Sequence, residues 1–353
     1  LQEIPILQYE DFLTLNTDMV RDTDCHCVNF FGYPEGEMIR LFCCMANDAD
    51  GTIRISSAKV SGDVKQLYPS FTARHFSFHF FERDLHEKFG IRYHDHPWLK
   101  PLRYPADRAG LMADIGNYPF YRVESGELHE VGVGPIHAGI IEPGHFRFIC
   151  SGERILHLEI QLGYQHRGVE KLFVAYPGLL QRNLLAESIA GDTVIGHTVA
   201  FAGLWESLCG FHASEDICLA RTVASELERI AIHTGDLSAL CTDIGYQLGS
   251  SVFGRLRTPV INTFQKWCGN RLGKGLVRAG RNPYPLTAVL RDELLQLFHE
   301  FEPDFNTMYR RTKTLPGVLA RMERTGALSG EQAAGIGAVG MVVGFFVVPV
   351  VGV

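Results

Sequence analysis

The sequence predicts an α+β protein: a small N-terminal α/β domain, then a mostly helical domain entered through a short β-hairpin. Three observations carry that expectation. Two strand-like runs, Met38–Met45 and Thr52–Ile55, flank the turn-rich segment Asn47–Gly51, the pattern of a hairpin. Phe81, Leu85 and Phe89 then recur every four residues along one helical face, and Gly90 stands where such a helix stops. From residue 131 the pattern changes. Phe146–Cys150 and Ile155–Leu162 flank Ser151-Gly152-Glu153 as a second hairpin, and helical periodicity dominates thereafter.

Taken in order, residues 1–104 form the first domain. Residues 105–130 hold Pro105, Gly110, Gly116, Pro119 and Gly126 without a clear period and read as a linker. Residues 131–332 form the second domain. Within it Val223–Ile232 carries apolar Leu227, Ile230 and Ala231, while Glu226, Arg229 and His233 sit three and four apart and meet on one side. Leu286–Phe298 is a further amphipathic helix, and no internal repeat is visible. Residues 333–353 are an apolar tail of 21 residues with five glycines and no charge. Its length suits a bilayer span of about 20 residues. Its glycines and Pro349 suit a helix poorly. A membrane anchor and the translated product of a frameshift or gene end both fit it.

The 353-residue length suggests two or three domains. Hydrophobic residues at 46% and charged residues at 21% are ordinary for a soluble globular protein and exclude a mainly disordered chain, a collagen and a polytopic membrane protein. A net charge of −7 argues against nucleic acid as a partner. The nine cysteines are odd in number and irregularly spaced, and no secretory signal is visible, so a reduced, cytoplasmic setting is expected. No Cys-x-x-Cys pair occurs anywhere. The first residue is Leu1 rather than Met, as expected of a chain whose own start lies upstream.

Three segments could carry chemistry. Gly134–Phe146 packs two prolines, three glycines, His137, His145 and Glu142 into thirteen residues. It reads either as a shaped loop whose titratable groups transfer protons or as a tight turn with capping polar residues. Gly163–Lys171 sets Arg167 and Lys171 four apart with Glu170 between them, an anion-holding pair or a solvated helix start. Ala186–His197 is rich in small residues and offers Asp192 and His197 as ligands or as satisfied structural groups.

Other motifs are set aside. Cys25-His26-Cys27 has too few ligands for structural zinc, and Cys43-Cys44 reads as strand packing. Gly269–Gly275 lacks the phosphate-loop spacing and reads as a basic turn between helices. Gly335-Ile336-Gly337-Ala338-Val339-Gly340 matches a dinucleotide fingerprint literally, but no strand-like run precedes it and no acidic residue follows. No Gly-x-Ser-x-Gly elbow is present.

Glu82-Arg83-Asp84-Leu85-His86-Glu87-Lys88-Phe89-Gly90-Ile91, followed by His96-Pro97-Trp98-Leu99-Lys100, resembles the signature of the 30-kilodalton-type peripheral subunit of respiratory complex I. The second half resembles its 49-kilodalton-type partner, a relative of nickel–iron hydrogenase large subunits. The two halves together resemble the fused large subunits of formate-hydrogenlyase-type, or group 4, hydrogenases. The matching motifs are Gly134–Phe146, Gly163–Lys171, Leu227-Glu228-Arg229 with His233, Phe253-Gly254-Arg255-Leu256 and Leu315-Pro316-Gly317, in the family's order across most of residues 30–332.

The resemblance implies two Cys-x-x-Cys pairs holding nickel and iron, because thiolates suit that soft site. Ala190 and Thr193 stand at the first pair's positions, and the chain departs into its tail before the second. No nickel–iron centre is therefore expected. Glu142 matches the glutamate that passes protons from the metal, and His145 follows it. In the complex I branch the same cavity takes a quinone headgroup between a His and a Tyr. Their equivalents here are Ile141 and Ser188, while His137 matches a neighbouring family His.

The function expected is that of a subunit in a membrane-associated oxidoreductase complex, coupling electron transfer to proton movement. Glu142, His145, Asp192 and His197 would pass protons or line the cavity, and His137 and Arg167 would contact its ligand, with quinone the candidate. No cofactor is assigned to this chain itself. The iron–sulfur cluster would lie in a small partner subunit, beside antiporter-like membrane subunits, at the inner face of the cytoplasmic membrane. A non-catalytic subunit that docks the iron–sulfur partner onto a membrane arm is the alternative.

Overall fold

The computed structural model describes residues 3–22, 24–63, 65–109, 114–136 and 142–339. The chain divides into two compact units. The first comprises the described residues within 1–137, 143–166 and 326–353, and the second those within 138–142 and 167–325.

The first unit opens with β1 (Ile6–Leu7), α1 (Tyr9–Met19), β2 (Cys25–Glu35), β3 (Met38–Asn47) and β4 (Thr52–Ser61). They form a sheet in the order β1-β4-β3-β2, with β1 parallel to β4 and the other pairs antiparallel. The predicted hairpin is β3 with β4, and β2 joins it as a third long strand. Side chains alternate along β3 with period two. Ile39, Leu41, Cys43 and Met45 enter the core, whereas Arg40 and Cys44 face outward.

β5 (Leu67–Pro69), α2 (Phe71–Arg74), α3 (His79–Phe89) and β6 (Arg92–His94) follow, and β5 pairs with β6 in parallel. α3 is the helix the four-residue period predicts. Leu85 is fully buried, and Phe81 and Phe89 pack against the same core. Gly90 closes the helix at φ 72°, its amide donating to the His86 carbonyl at 2.8 Å, a left-handed conformation that glycine adopts without strain. On β2, Gly32 admits the helix: a Cβ there would lie 3.1 Å from Leu85 Cδ2. Phe12, Leu13, Phe30, Phe71 and Phe78 complete the core, their rings meeting mostly edge to face.

The second predicted hairpin is part of a three-stranded antiparallel sheet of β7 (His129–Val133), β8 (His145–Ser151) and β9 (Arg154–Gln161). It lies in the first unit. The predicted linker is held into that unit as well. Tyr118 is buried, the Ala109 amide donates to the Glu87 carbonyl at 3.0 Å, and the Tyr121 amide donates to Glu159 at 2.7 Å.

The second unit is helical: α4 (Val169–Ala175), α5 (Leu179–Ala186), α6 (Val194–Leu208), α7 (Glu215–Asp243), α8 (Gln247–Cys268), α9 (Ala288–Thr314) and α10 (Pro316–Met322). Ala220, Ala224, Leu227 and Ala231 form a buried stripe on α7 at helical spacing, packed with Val260, Ile261 and Phe264 of α8 and Leu290 and Leu294 of α9. Arg229 pairs with Glu226 at 3.1 Å on the exposed side, as their spacing predicts. A last helix, α11 (Gly330–Gly335), starts at a Ser329–Gln332 capping box and belongs to the first unit. The apolar tail beyond residue 339 lies outside the described residues. Among the described residues no helix is long and apolar enough to cross a membrane.

Leu41 on β3 is fully buried at the centre of the first sheet. Leu41→Ala is expected to cost about 3 kcal/mol, the usual size of a buried Leu truncation, read as a lower urea midpoint with an unchanged slope. A loss under about 1 kcal/mol would mean that the site collapses around the smaller side chain.

Candidate functional site

The segment between α5 and α6 carries Ala190, Asp192, Thr193 and, on the first turn of α6, His197. Ala190 is extended and half-buried, and Gly191–Thr193 make one 3₁₀ turn before α6 begins. Thr193 stands at the N-cap of α6 but makes no side-chain cap bond. Glu228 of α7 takes that role. Its Oε1 accepts from the Ile195 amide at 2.7 Å and its Oε2 from the Gly196 amide at 3.0 Å. Burial pushes this carboxyl up, the amides pull it down, and nearby Asp192 raises it further.

The other end of the segment is held by Arg167. Its Nη1 donates to the Ser188 carbonyl at 2.7 Å and its Nη2 to the Ile189 carbonyl. Those two donors are thus committed to backbone where α5 ends. Asp192 is exposed and His197 half-buried, and neither has a side-chain hydrogen bond among the described residues. Ser188 donates its hydroxyl to the Leu184 carbonyl at 2.9 Å.

The long loop from α8 to α9 is tied down beside these elements. Glu187 accepts from the Gly275 amide at 3.0 Å and pairs with Arg278. Glu206 of α6 accepts from the Gly280 amide at 2.7 Å and holds Arg221 through both oxygens. The Arg221 hydrogen bonds keep the Glu206 carboxyl below the ordinary carboxylate range. Gly273 in this loop approaches α6 closely, for a Cβ there would stand 2.7 Å from Ile195 Cδ1.

In the first unit, His145 opens β8. Its Nδ1 lies 3.1 Å from the Gly134 carbonyl and donates to it, leaving Nε2 as an acceptor. Its ring meets Phe120 edge-on at 5.4 Å, and Arg147 lies over the same Phe120 at 4.8 Å. Glu142 is exposed. His137 and Ile141 lie outside the described residues. Asp192 and His197 therefore share one helix start in the second unit, whereas His145 stands in the first.

The Glu82–Gly90 signature proves to be a buried polar knot. Glu82 is 0% exposed and accepts from Ser70 Oγ (2.7 Å), the Phe71 amide (2.8 Å), the Thr72 amide (2.9 Å) and Thr72 Oγ1 (2.5 Å). Arg83, 1% exposed, donates to the Lys100 and Pro101 carbonyls at 2.8 Å each and lies 4.3 Å from the Trp98 ring. Glu87 accepts from the Arg103 and Tyr104 amides. Burial and the Arg83 charge hold His79 and His96 down to about 4. The charge-rich motif thus reaches inward to residues 70–72 and 100–104. No periodicity reveals that, since the partners are backbone groups of other segments.

A nickel–iron centre does not fit these residues. Ala190 and Thr193, which the resemblance sets at the first thiolate pair, offer a methyl and a hydroxyl, and neither suits a soft metal. Among the described residues no three His, Cys, Asp or Glu side chains converge on a metal-sized space.

Parts of the sequence and the fold are similar to known proteins. Residues 10–114 match the family described as "Respiratory-chain NADH dehydrogenase, 30 Kd subunit". Over 238 residues, 67% of this chain and 43% of the relative, the sequence is 27% identical to hydrogenase-4 component G of Escherichia coli (strain K12). Over 323 residues, 81% of this chain and 61% of the relative, it is 25% identical to an NADH-quinone oxidoreductase subunit of Phocaeicola vulgatus. The chain thus spans about half the length of these relatives. Its fold is similar to a chain of the archaeal membrane-bound sulfane sulfur reductase, at a TM-score of 0.55 and 16% identity, covering 60% of this chain and 56% of that one.

Proposed function

We propose that this chain, a complex I-type and group 4 hydrogenase-like polypeptide, serves as a subunit of a membrane-associated oxidoreductase complex in which electron transfer is coupled to proton movement, without a nickel–iron centre of its own. The observation that carries the reading is the α5–α6 connection. The thiolate positions are Ala190 and Thr193, yet the backbone between them is held at both ends. Asp192 and His197 stand beside it, without a side-chain partner among the described residues. A carboxylate and an imidazole suit proton relay because their pKa values are readily moved toward neutrality. Glu142 and His145 are the further proton-carrying groups, and His145 keeps Nε2 as an acceptor. His137 would contact a ligand of the cavity, for which quinone is the candidate. Arg167 acts at that ligand's edge through the backbone it holds.

The partners in this reading are a small iron–sulfur subunit and antiporter-like membrane subunits, with this chain peripheral on the inner face of the cytoplasmic membrane; relatives named as hydrogenase and NADH-quinone oxidoreductase subunits support its place in a multi-subunit complex. The alternative is a non-catalytic docking subunit. It is favoured by the way Glu187, Glu206 and Glu228 all spend their oxygens on structure.

The test is metal analysis of the purified complex containing this chain, with hydrogen uptake assayed on the same sample. No nickel and no uptake, with iron from a co-purifying subunit, is the expected result. Stoichiometric nickel with activity overturns the reading of Ala190 and Thr193. Glu142→Gln is then expected to lower proton-coupled turnover by roughly a hundredfold, the size of a lost general acid–base group. Unchanged coupling in a correctly assembled complex favours the docking subunit.

A further inference from the structure

We infer that Glu228 and Arg167 are positioning residues that together set the α5–α6 connection and so place Asp192 and His197, an inference that rests on the proton-transfer reading above. Each sits where helix electrostatics favours its charge. Arg167 meets carbonyl oxygens at the C-terminal end of α5, and Glu228 meets amides at the N-terminus of α6. Neither anchor is local. Arg167 lies 21 residues from Ser188, and Glu228 lies 33 residues from Ile195. The local cap is idle, because Thr193 makes no cap bond. The conformation of Ala190–Thr193 is therefore imposed by α7 and by the turn before α4, and it does not depend on the side chains at 190 and 193. The loop is thus held in shape without thiolates at 190 and 193. Asp192 hangs from the 3₁₀ turn, and His197 lies on the first turn of α6 that Glu228 anchors. Asp192 lies near enough to Glu228 to raise its carboxyl.

Hydrogen exchange of the full chain tests this directly. Glu228→Gln keeps the volume but sets an NH₂ group against one of the two amides. Exchange at residues 194–197 should quicken roughly fivefold to tenfold, the size of a lost helix cap. Arg167→Gln should do the same for residues 190–193. Glu228→Asp and Arg167→Lys should recover part of both effects. Unchanged exchange in Glu228→Gln and Arg167→Gln overturns the proposal. Should Glu228→Gln fail to fold, the exposed Arg167 carries the test by the same readouts. The proton-transfer reading fails separately, if Asp192→Asn and His197→Gln leave coupled turnover intact while Glu228→Gln still loosens the segment.

Discussion

Glu82→Ala should leave the first unit unfolded, or nearly so, at 25 °C. The carboxylate is completely buried and accepts four hydrogen bonds, two from backbone amides and two from hydroxyls. Removing it leaves two buried amides without acceptors, each costing about 1–3 kcal/mol. It also opens a cavity between α2 and α3. The sum, about 5 kcal/mol, approaches the whole stability of an ordinary domain. Glu82→Gln should be milder but still costly, since its NH₂ faces donors. Urea denaturation, with limited proteolysis to show which unit opens, measures both. A loss below about 1 kcal/mol in Glu82→Ala would mean that Ser70 and Thr72 find other partners.

The second large effect is acid lability of the same unit. His79 and His96 are both held down to about 4, first by burial and next by the Arg83 charge. A histidine depressed in the fold binds fewer protons folded than unfolded between pH 6.5 and 4, so each contributes stability above pH 6.5 that is lost as pH falls toward 4. About 3 kcal/mol per ring follows from the size of the depression. Glu82 acts oppositely: burial raises it, so the folded state holds its proton more tightly and gains relative stability on acidification. The two rings are expected to cost the unit stability as pH falls from 6.5 to 4, with the Glu82 carboxyl working against that loss. Thermal melts across that range, with His96→Gln flattening the dependence, check the sign. A melting temperature independent of pH there would refute it.

Much of this fold was legible because its signals are local. Phe81, Leu85 and Phe89 predict α3 because a helix turns every 3.6 residues, and Gly90 ends it for the left-handed turn it alone adopts cheaply. Asn47–Gly51 mark the β3–β4 turn for the same local reason. What escaped was set by distance. Glu82, Arg83 and Glu87 have the composition of a solvated helix face, yet they are buried, because their partners lie in residues 70–72 and 100–104. Glu226 and Arg229 make the neighbourly pair that spacing foretells, while Glu228 between them turns inward to α6. By spacing, Arg167 and Lys171 read either as an anion-holding pair or as a solvated helix start, whereas in the fold Arg167 spends two donors on carbonyls twenty-odd residues away. Asp192 and His197 were identifiable as candidates from residue type alone. That Asp192 sits on the 3₁₀ turn directly before the α6 turn carrying His197 needs the fold.

Six buried acidic residues, Glu82, Glu87, Glu159, Glu187, Glu206 and Glu228, each accept at least one hydrogen bond from a main-chain amide. A peptide N–H has no alleles. When a joint has a side chain on both sides, a change in one can be rescued by a matching change in the other, and lineages drift together as pairs. Here one partner is present in nearly every possible sequence, and at Glu228 the hydrogen bonds run to amides alone, whereas Glu187 and Glu206 also hold an arginine. Glu228 should show in a mutational scan as an isolated intolerant site, without second-site suppressors at its contacts. Paired substitutions should accumulate instead at exposed joints such as Arg255–Asp304 and Lys266–Glu293.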